Sequence, residues 1–455
     1  MYIRDVIVII ATIYFVAKAL RNPLVGMLAY IGYGLISPQG LTWYFASTFP
    51  HSMLIGVATI IGFVTWSRPT KFPVCREALM LVVLWIWFFF STIFSYDQDS
   101  AWYKFETVSK EYFMVLLSLA IFQTKKDVYL ALKVMSLCIG FYAVKGTVFF
   151  VGTAGEGTVE GVPGGFLFAN NAMGLALAMN VPLLVYLIRI EENKWMRRIM
   201  WLMLICSYPA TIGTFSRGAW LALAASTAVL ILKSKNKFIV VAIASIVLMI
   251  GLSLFPLVAS ERLTGRAKTL ENIQEDGSAQ QRFGSWEFCA RVGLSNPIFG
   301  LGFDYYSLNV YSEYLPEYVE RWGLERWKGR AWSCHSMWVT VLGEHGLFAF
   351  LLWVGLLVSC FVRLGRMRKV ANSRPDLAWG APLADAVQAS LVAYAVAGTF
   401  LDVAYFDAYY QLVALIVIAS ERQSEEMAHS EGTVAGADSR SILAGRPPDP
   451  VGVSA

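Results

Sequence analysis

Two arginines and one histidine have side chains that could act together on a phosphate and a hydroxyl. Arg217 and His335 each begin a long apolar segment, and Arg282 lies in the polar stretch between them. Guanidinium groups hold phosphate oxygens through charge-assisted hydrogen bonds. An imidazole titrates near neutral pH and accepts the proton of a hydroxyl. The three residues therefore predict a catalytic site that holds a diphosphate while it activates a hydroxyl.

Each of these residues also has an ordinary interpretation when taken alone. An arginine at the edge of a membrane span often anchors to lipid headgroups. A histidine at a helix start is often a cap, and Arg282 is one of nine basic residues in its loop. The catalytic interpretation therefore depends on the three residues lying together, and on the elements that position them.

The composition indicates a membrane protein. The chain has 455 residues, of which 57% are hydrophobic and 15% charged, and its mean hydropathy is +0.55. Soluble domains carry roughly 25% charged residues. The apolar residues fall in blocks close to the ~20 residues that span a bilayer. The sequence thus predicts an all-α polytopic membrane protein with 12 or 13 transmembrane helices.

The count depends on the first two segments, which are separated by Arg21-Asn22-Pro23 and form either two spans or a hairpin. We expect the N-terminal segment to be a retained helix rather than a signal peptide. The predicted spans are 4–20, 22–37, 51–67, 77–95, 106–122, 127–150, 166–188, 198–213, 217–233, 238–257, 335–362, 383–401 and 404–420.

The loops between the spans differ in positive charge. One alternating set contains 17 Lys or Arg residues and the other set contains two. Because cytoplasmic loops accumulate Lys and Arg, the first set is predicted to be cytoplasmic and the second to face the far side. The long loop 258–334, which contains nine Lys or Arg, is not included in these counts. Arg217 is one of the two cations in the short loops of the far side, so its position requires a reason.

Four regions follow from this pattern. Residues 1–257 form an N-terminal transmembrane bundle, 258–334 a long outer loop with amphipathic helices, 335–420 further transmembrane helices, and 421–455 a disordered cytoplasmic tail. In the loop, 281–294 is predicted to be a helix with Arg282 and Trp286 on one face. The aromatic segment 311–332 either packs on the bundle or grips a lipid or glycan.

The sequence offers no sign of a metal or cofactor site. Its six cysteines lack metal-ligand spacing, and no nucleotide- or dinucleotide-binding motif is present. We expect the cysteines to be small apolar fillers, although a disulfide between Cys289 and Cys334 in the outer loop stays open. The basic residues lie in short loops, so no nucleic-acid partner is predicted. Energy for a reaction must come from the substrate.

At this level the chain resembles the O-antigen ligases and the related O-antigen polymerases. The N-terminal motifs Arg4-Asp5, Asn22-Pro23 and Ser37-Pro38-Gln39-Gly40-Leu41-Thr42-Trp43 further resemble the putative O-glycosylation ligases associated with exosortase systems. The superfamily motifs are Thr214-Phe215-Ser216-Arg217-Gly218-Ala219, Arg282 followed by Trp286, Asn296-Pro297-Ile298-Phe299-Gly300-Leu301-Gly302, and His335-Ser336 followed by Glu344-His345-Gly346.

The resemblance implies a GT-C-like glycosyltransferase in the bacterial inner membrane, with its active site at the periplasmic face. The donor would be a glycan on undecaprenyl diphosphate, and the acceptor a hydroxyl of lipid A-core, a protein or another glycan. Arg217 and Arg282 would neutralise the leaving diphosphate, and His335 would act as general base in an inverting transfer. Ser336 and Tyr305 are weaker candidates for substrate binding.

Two other functions remain open at this stage. A polymerase of the same superfamily would use the same three residues and differ only in its acceptor. A non-catalytic lipid or glycan transporter would instead place polar residues or broken helices near the membrane midplane. The candidate residues lie at one surface beside a large outer loop, which favours an enzyme.

Overall fold

The computed structural model describes residues 3–234, 277–316 and 333–444, and all regular secondary structure in these ranges is helical. The predicted span 238–257, most of the aromatic segment 311–332 and residues 445–455 lie outside the described residues. The helices are α1 (Ile3–Arg21), α2 (Pro23–Ile36), α3 (His51–Val64), α4 (Arg76–Ile93), α5 (Gln98–Ile121), α6 (Lys125–Gly152), α7 (Asn170–Ile190), α8 (Lys194–Ile212), α9 (Arg217–Lys233), α10 (Gly277–Ser295), α11 (Leu308–Tyr314), α12 (Met337–Ser373), α13 (Gly380–Gly398) and α14 (Asp407–Ala444).

Within the described residues, five helices are long and apolar enough to cross a membrane, namely α4, α6, α7, α12 and α13. Two shorter apolar helices, α2 and α3, accompany them. Many large apolar side chains of the bundle remain exposed, as expected where lipid takes the place of water. The chain is a polytopic helical membrane protein, as predicted, while the number of 12 or 13 spans and the GT-C-like architecture stay predictions.

Helix α7 forms the centre of the bundle and positions the start of α9. It packs against α6, α8, α9 and α13, and its side chains are mostly buried. Small residues allow this close packing, since a Cβ at Gly174 would lie 2.6 Å from the Cβ of Ala219 in α9. The fully buried Asn180 donates to the carbonyl of Ser136, so its amide nitrogen is satisfied inside the bundle.

The first two helices form an antiparallel pair. Asn22 caps α2 by accepting a hydrogen bond from the Leu24 amide, and Pro23 occupies the first turn, where no amide hydrogen is needed. The buried carboxylate of Asp5, near the start of α1, accepts from the amides of Tyr44 and Ala46 beyond the end of α2. The break predicted at residues 21–23 is therefore confirmed.

Helix α14 continues well beyond its apolar part and overturns the prediction of a disordered tail. It extends to Ala444, so residues 421–444 are helical. The first turns beyond its apolar part are held to the bundle, because the buried Gln423 donates to the carbonyl of Met367 and Glu426 accepts from the Trp379 indole. These contacts supply the packing that the polar composition of the segment alone did not indicate.

Candidate active site

Arg217 stands at the first position of α9, and its neighbours fix that start. Phe215 adopts a left-handed conformation with φ of 54°, and Ser216 caps the helix by accepting from the Ala219 amide. The Thr214 carbonyl accepts from the Asn170 side chain at the start of α7. The arginine is half-buried at the positive end of a helix, where a cation is unfavourable unless an anion accompanies it.

Arg282 lies in the second turn of α10, and the predicted helix over 281–294 is confirmed as Gly277–Ser295. One turn further on, the Trp286 indole donates to the His335 carbonyl at 3.5 Å. Phe288 and Val292 are fully buried against the rest of the loop. The helix therefore has one face anchored in the loop core and carries Arg282, half-buried, beside the His335 turn.

A disulfide between Cys289 and Cys334 joins α10 to the chain immediately before His335. The prediction that all six cysteines are apolar fillers is wrong for these two, and it stands only for the thiols of Cys138, Cys206 and Cys360, which are buried. A separation of 45 residues in the chain carries no spacing signal. The bond fixes the His335 turn against the helix that bears Arg282.

His335 occupies a strained position at this turn. Its φ of 49° places it in the left-handed region, which is uncommon for residues other than glycine. The imidazole is half-buried, and this burial lowers the pKa of His335 below the usual 6.5, with the positive charge of Arg282 lowering it further. At neutral pH the ring is therefore uncharged and able to accept a proton.

The loop between α13 and α14 contacts both sides of the candidate site. Phe400 packs against Trp286 with ring centroids 6.0 Å apart, and a Cβ at Gly218 would lie 3.3 Å from the Phe400 Cβ. Glycine after Arg217 is therefore required for close approach of this loop. The Phe400 side chain links the start of α9 to the Arg282 helix.

The same loop also holds the first turn of α12. Thr399 accepts from the Trp338 indole, and the Asp402 carboxylate accepts from the Thr340 hydroxyl at 2.9 Å. Ser333, two residues before His335, also interacts with this carboxylate. Asp402 thus contacts residues on either side of the His335 position.

Arg282 lies close enough to His335 for its positive charge to lower the pKa of the imidazole. The start of α9 reaches the same region, because Phe400 packs against Trp286 and also approaches Gly218. Ser336 is the N-cap residue of α12 and is buried, with no side-chain capping hydrogen bond. Tyr305 is 1% exposed and packs against Phe288, so it builds the loop core rather than making the predicted contact with substrate.

The glycine-containing motif 296–302 holds the middle of α12, the helix that follows His335. Gly346, with φ of 77°, interrupts α12 and frees backbone groups on either side. The amides of Leu301 and Gly302 donate to the carbonyls of Gly343 and Glu344, and the amide of Leu347 donates to the Pro297 carbonyl. The motif 296–302 is thus a backbone clamp on the break in α12.

Glu344 lies at this break, and its carboxylate accepts hydrogen bonds from the residues around it. It is 1% exposed and accepts from the amide of Asp304 and from the hydroxyls of Tyr306 and Tyr405. His345 beside it is satisfied by Ser91 and Tyr405. Within the described residues, no group of three or more His, Cys, Asp or Glu side chains is arranged to hold a metal ion.

Comparison with known proteins gives two matches. Residues 3–192 match a family of unknown function, DUF5935, and residues 201–354 match the family described as O-antigen ligase. No curated protein matches the chain at a significant level. The second match contains Arg217, Arg282 and His335, together with the break in α12 and the motif that clamps it. The match over residues 201–354 supports the O-antigen ligase superfamily for this part of the chain.

Proposed function

We propose that this protein transfers a glycan from undecaprenyl diphosphate to an acceptor hydroxyl, at the periplasmic face of a bacterial inner membrane. The family match supports glycosyl transfer in general, and the donor and acceptor are part of the proposal. The observation that carries it is the pairing of a half-buried, uncharged imidazole at His335 with the neighbouring cation Arg282. A base and a phosphate ligand are needed side by side for this reaction.

Arg217 and Arg282 would bind the diphosphate. The start of α9 adds the positive end of the helix dipole, a common setting for phosphate oxygens. This would explain why a cation is placed at a helix N-terminus. As the bond to the anomeric carbon breaks, charge develops on the diphosphate, and guanidinium groups that are already oriented stabilise it.

His335 would act as the general base. The acceptor oxygen attacks the anomeric carbon from the face opposite the diphosphate, its proton passes to the imidazole, and the bonding pair leaves with the diphosphate. The product therefore has the inverted anomeric configuration. The reaction draws its energy from the diphosphate ester, and we expect it to proceed in excess EDTA.

The orientation is supported by two independent features. The short loops of one alternating set contain 17 Lys or Arg and those of the other set contain two, which supports a non-cytoplasmic position for the loop with Arg282. The disulfide between Cys289 and Cys334 in that loop fits an oxidising compartment such as the periplasm. A polymerase of the same superfamily would share this chemistry and differ in the acceptor alone.

Reconstitution tests the proposal. Protein in liposomes, supplied with glycan on undecaprenyl diphosphate and a set of hydroxyl acceptors, should release undecaprenyl diphosphate and form a glycoside of inverted configuration, identified by mass spectrometry and NMR. EDTA should leave the rate unchanged. Movement of intact donor across the bilayer without glycoside formation would show a transporter instead.

A further inference from the structure

A small cavity with basic walls lies at the end of the bundle opposite Arg217. It opens between the last turns of α7 and α9 and the second turn of α13. Its charged lining consists of Arg189, Lys233 and Asp385, and none of the candidate catalytic residues lines it. The proposed glycan transfer therefore makes no use of this cavity.

The cavity lies at the depth of a lipid headgroup. Arg217 is the first residue of α9 and Lys233 the last, so their backbones are about 24 Å apart along the helix axis. The hydrocarbon core of a bilayer is about 30 Å thick. With Arg217 at one surface of the membrane, the long side chains of Lys233 and the neighbouring Arg189 reach the headgroups of the other leaflet.

Positive charge predominates at the cavity. Lys233 donates to the Asp385 carboxylate at 2.7 Å and also to the Gln388 side chain. Arg368 of α12 forms a second ion pair with Asp385, at 2.9 Å. Arg189 adds a third cation to the same group. Three cations and one carboxylate leave two positive charges in excess, so the cavity attracts anions.

Arg189 is the cation of this group that a ligand can use most readily. Its side chain is exposed, and among the described residues it forms no hydrogen bond or ion pair. A guanidinium carries five N–H donors, and its planar shape matches phosphate oxygens in a two-point contact. The Asp385 carboxylate is already neutralised by Lys233 and Arg368. An incoming phosphate therefore meets unused donors at Arg189.

Apolar side chains form the rest of the cavity wall. Pro182, Val185 and Leu230 line it, and they lie one or two turns before the charged residues of α7 and α9, nearer the membrane midplane. A soluble phosphate would leave this apolar wall unused. A phospholipid would place its phosphate at the basic residues and its glycerol and acyl groups along the wall. Basic pockets between transmembrane helices are a known setting for anionic headgroups.

We propose that the ends of α7 and α9 and the start of α13 bind the headgroup of an anionic phospholipid, whose phosphate accepts hydrogen bonds from Arg189 and Lys233. The inference goes beyond the proposed glycan transfer and does not depend on it, because binding is measured without donor or acceptor. The bound lipid would fix the end of α9 whose other end carries Arg217.

Native mass spectrometry of the full-length protein in detergent, titrated with single lipids, tests the inference. The probes are phosphatidylglycerol and phosphatidylcholine with the same acyl chains. We expect phosphatidylglycerol to bind more tightly. Arg189→Gln should weaken its binding by about fivefold, with little change for phosphatidylcholine, because each basic residue near an anionic lipid contributes about 1 kcal/mol. Asp385→Asn removes the competing negative charge but keeps an acceptor for Lys233, so it should strengthen phosphatidylglycerol binding.

Arg197→Gln is the matched control, because Arg197 is an exposed cation near the start of α8, at the same end of the bundle but outside the cavity. It should bind phosphatidylglycerol like the wild type. Equal affinity for the two lipids, an unchanged affinity in Arg189→Gln, or an equal loss in Arg197→Gln would overturn the inference. Displacement of phosphatidylglycerol by millimolar inorganic phosphate would also overturn it, because the cavity would then take a soluble anion.

Discussion

The start of α9 and the outer loop each supply one arginine to the candidate site, and they position it differently. Arg217 stands at a helix start in the bundle that Ser216 caps. Arg282 lies on a loop helix that a disulfide joins to the chain immediately before His335. The first position depends on neighbouring residues in the sequence, whereas the second depends on a bond between cysteines 45 residues apart. The contrast teaches that the two proposed diphosphate ligands come from a locally fixed helix start and from a cross-linked loop.

The largest effect on turnover is expected from replacing His335. His335→Ala should lower turnover by roughly 10²–10⁴, the usual contribution of a general base, while donor affinity stays close to that of the wild type. Single-turnover transfer beside donor binding measures both. His429→Ala, which changes a histidine in the polar part of α14, is the control and should have no effect. Transfer by His335→Ala at nearly the wild-type rate would assign His335 a structural role.

Turnover should depend on the shape of the Arg217 side chain as well as on its charge. Arg217→Lys keeps the charge but loses the planar two-point grip on phosphate, so turnover should fall by about 10²-fold. Arg291→Lys, in an exposed pair with Glu287 on α10, is the matched control and should retain full activity. Full activity of Arg217→Lys would mean that a point charge at the membrane surface is sufficient.

The disulfide should matter because it holds the His335 turn against the Arg282 helix. The double variant Cys289→Ser, Cys334→Ser should destabilise the loop by about 2–4 kcal/mol. Turnover should fall more than donor affinity, because Arg217 is positioned by the bundle and would still bind the donor. Thermal unfolding in detergent and transfer assays measure the two effects. Replacement of the free Cys75 by serine is the control. Unchanged stability and turnover would show that packing of Phe288 and Tyr311 alone holds the loop.

The smallest expected effect is a shift in the pH dependence of kcat/KM. Because burial and Arg282 lower the pKa of His335, the imidazole remains unprotonated to below pH 6.5, and the acid limb of kcat/KM should lie below that value. Arg282→Gln removes the positive charge, so the pKa of His335 should rise and the acid limb of kcat/KM should move to higher pH. Burial, the larger cause, is unchanged, so the shift is partial. A limb that stays in place would show that Arg282 does not act on His335.

The sequence was sufficient for features that depend on local pattern. The start of α9 at Arg217 and the loop helix with Arg282 and Trp286 on one face agree with the structure. The apolar blocks likewise predicted most described helices to within a few residues. In these cases hydrophobic length, capping residues and helical spacing lie close together in the chain, and each has a direct physical consequence.

Features that depend on distant contacts were not predictable. Nothing in the spacing of Cys289 and Cys334 indicated that they bond, and nothing in the predicted span 335–362 indicated the break at Gly346. Both features depend on segments that lie far apart in the chain, since Cys334 bonds to the loop helix and the motif 296–302 clamps the break.

A structure of the protein with bound undecaprenyl diphosphate, determined by cryo-electron microscopy in a lipid nanodisc, tests the central claim most directly. We expect the diphosphate to accept hydrogen bonds from both Arg217 and Arg282, with the His335 imidazole within roughly 10 Å of each guanidinium, because reacting groups must lie within a few ångströms of one another. A diphosphate bound elsewhere, or an Arg282 side chain directed away from it into solvent, would contradict the account.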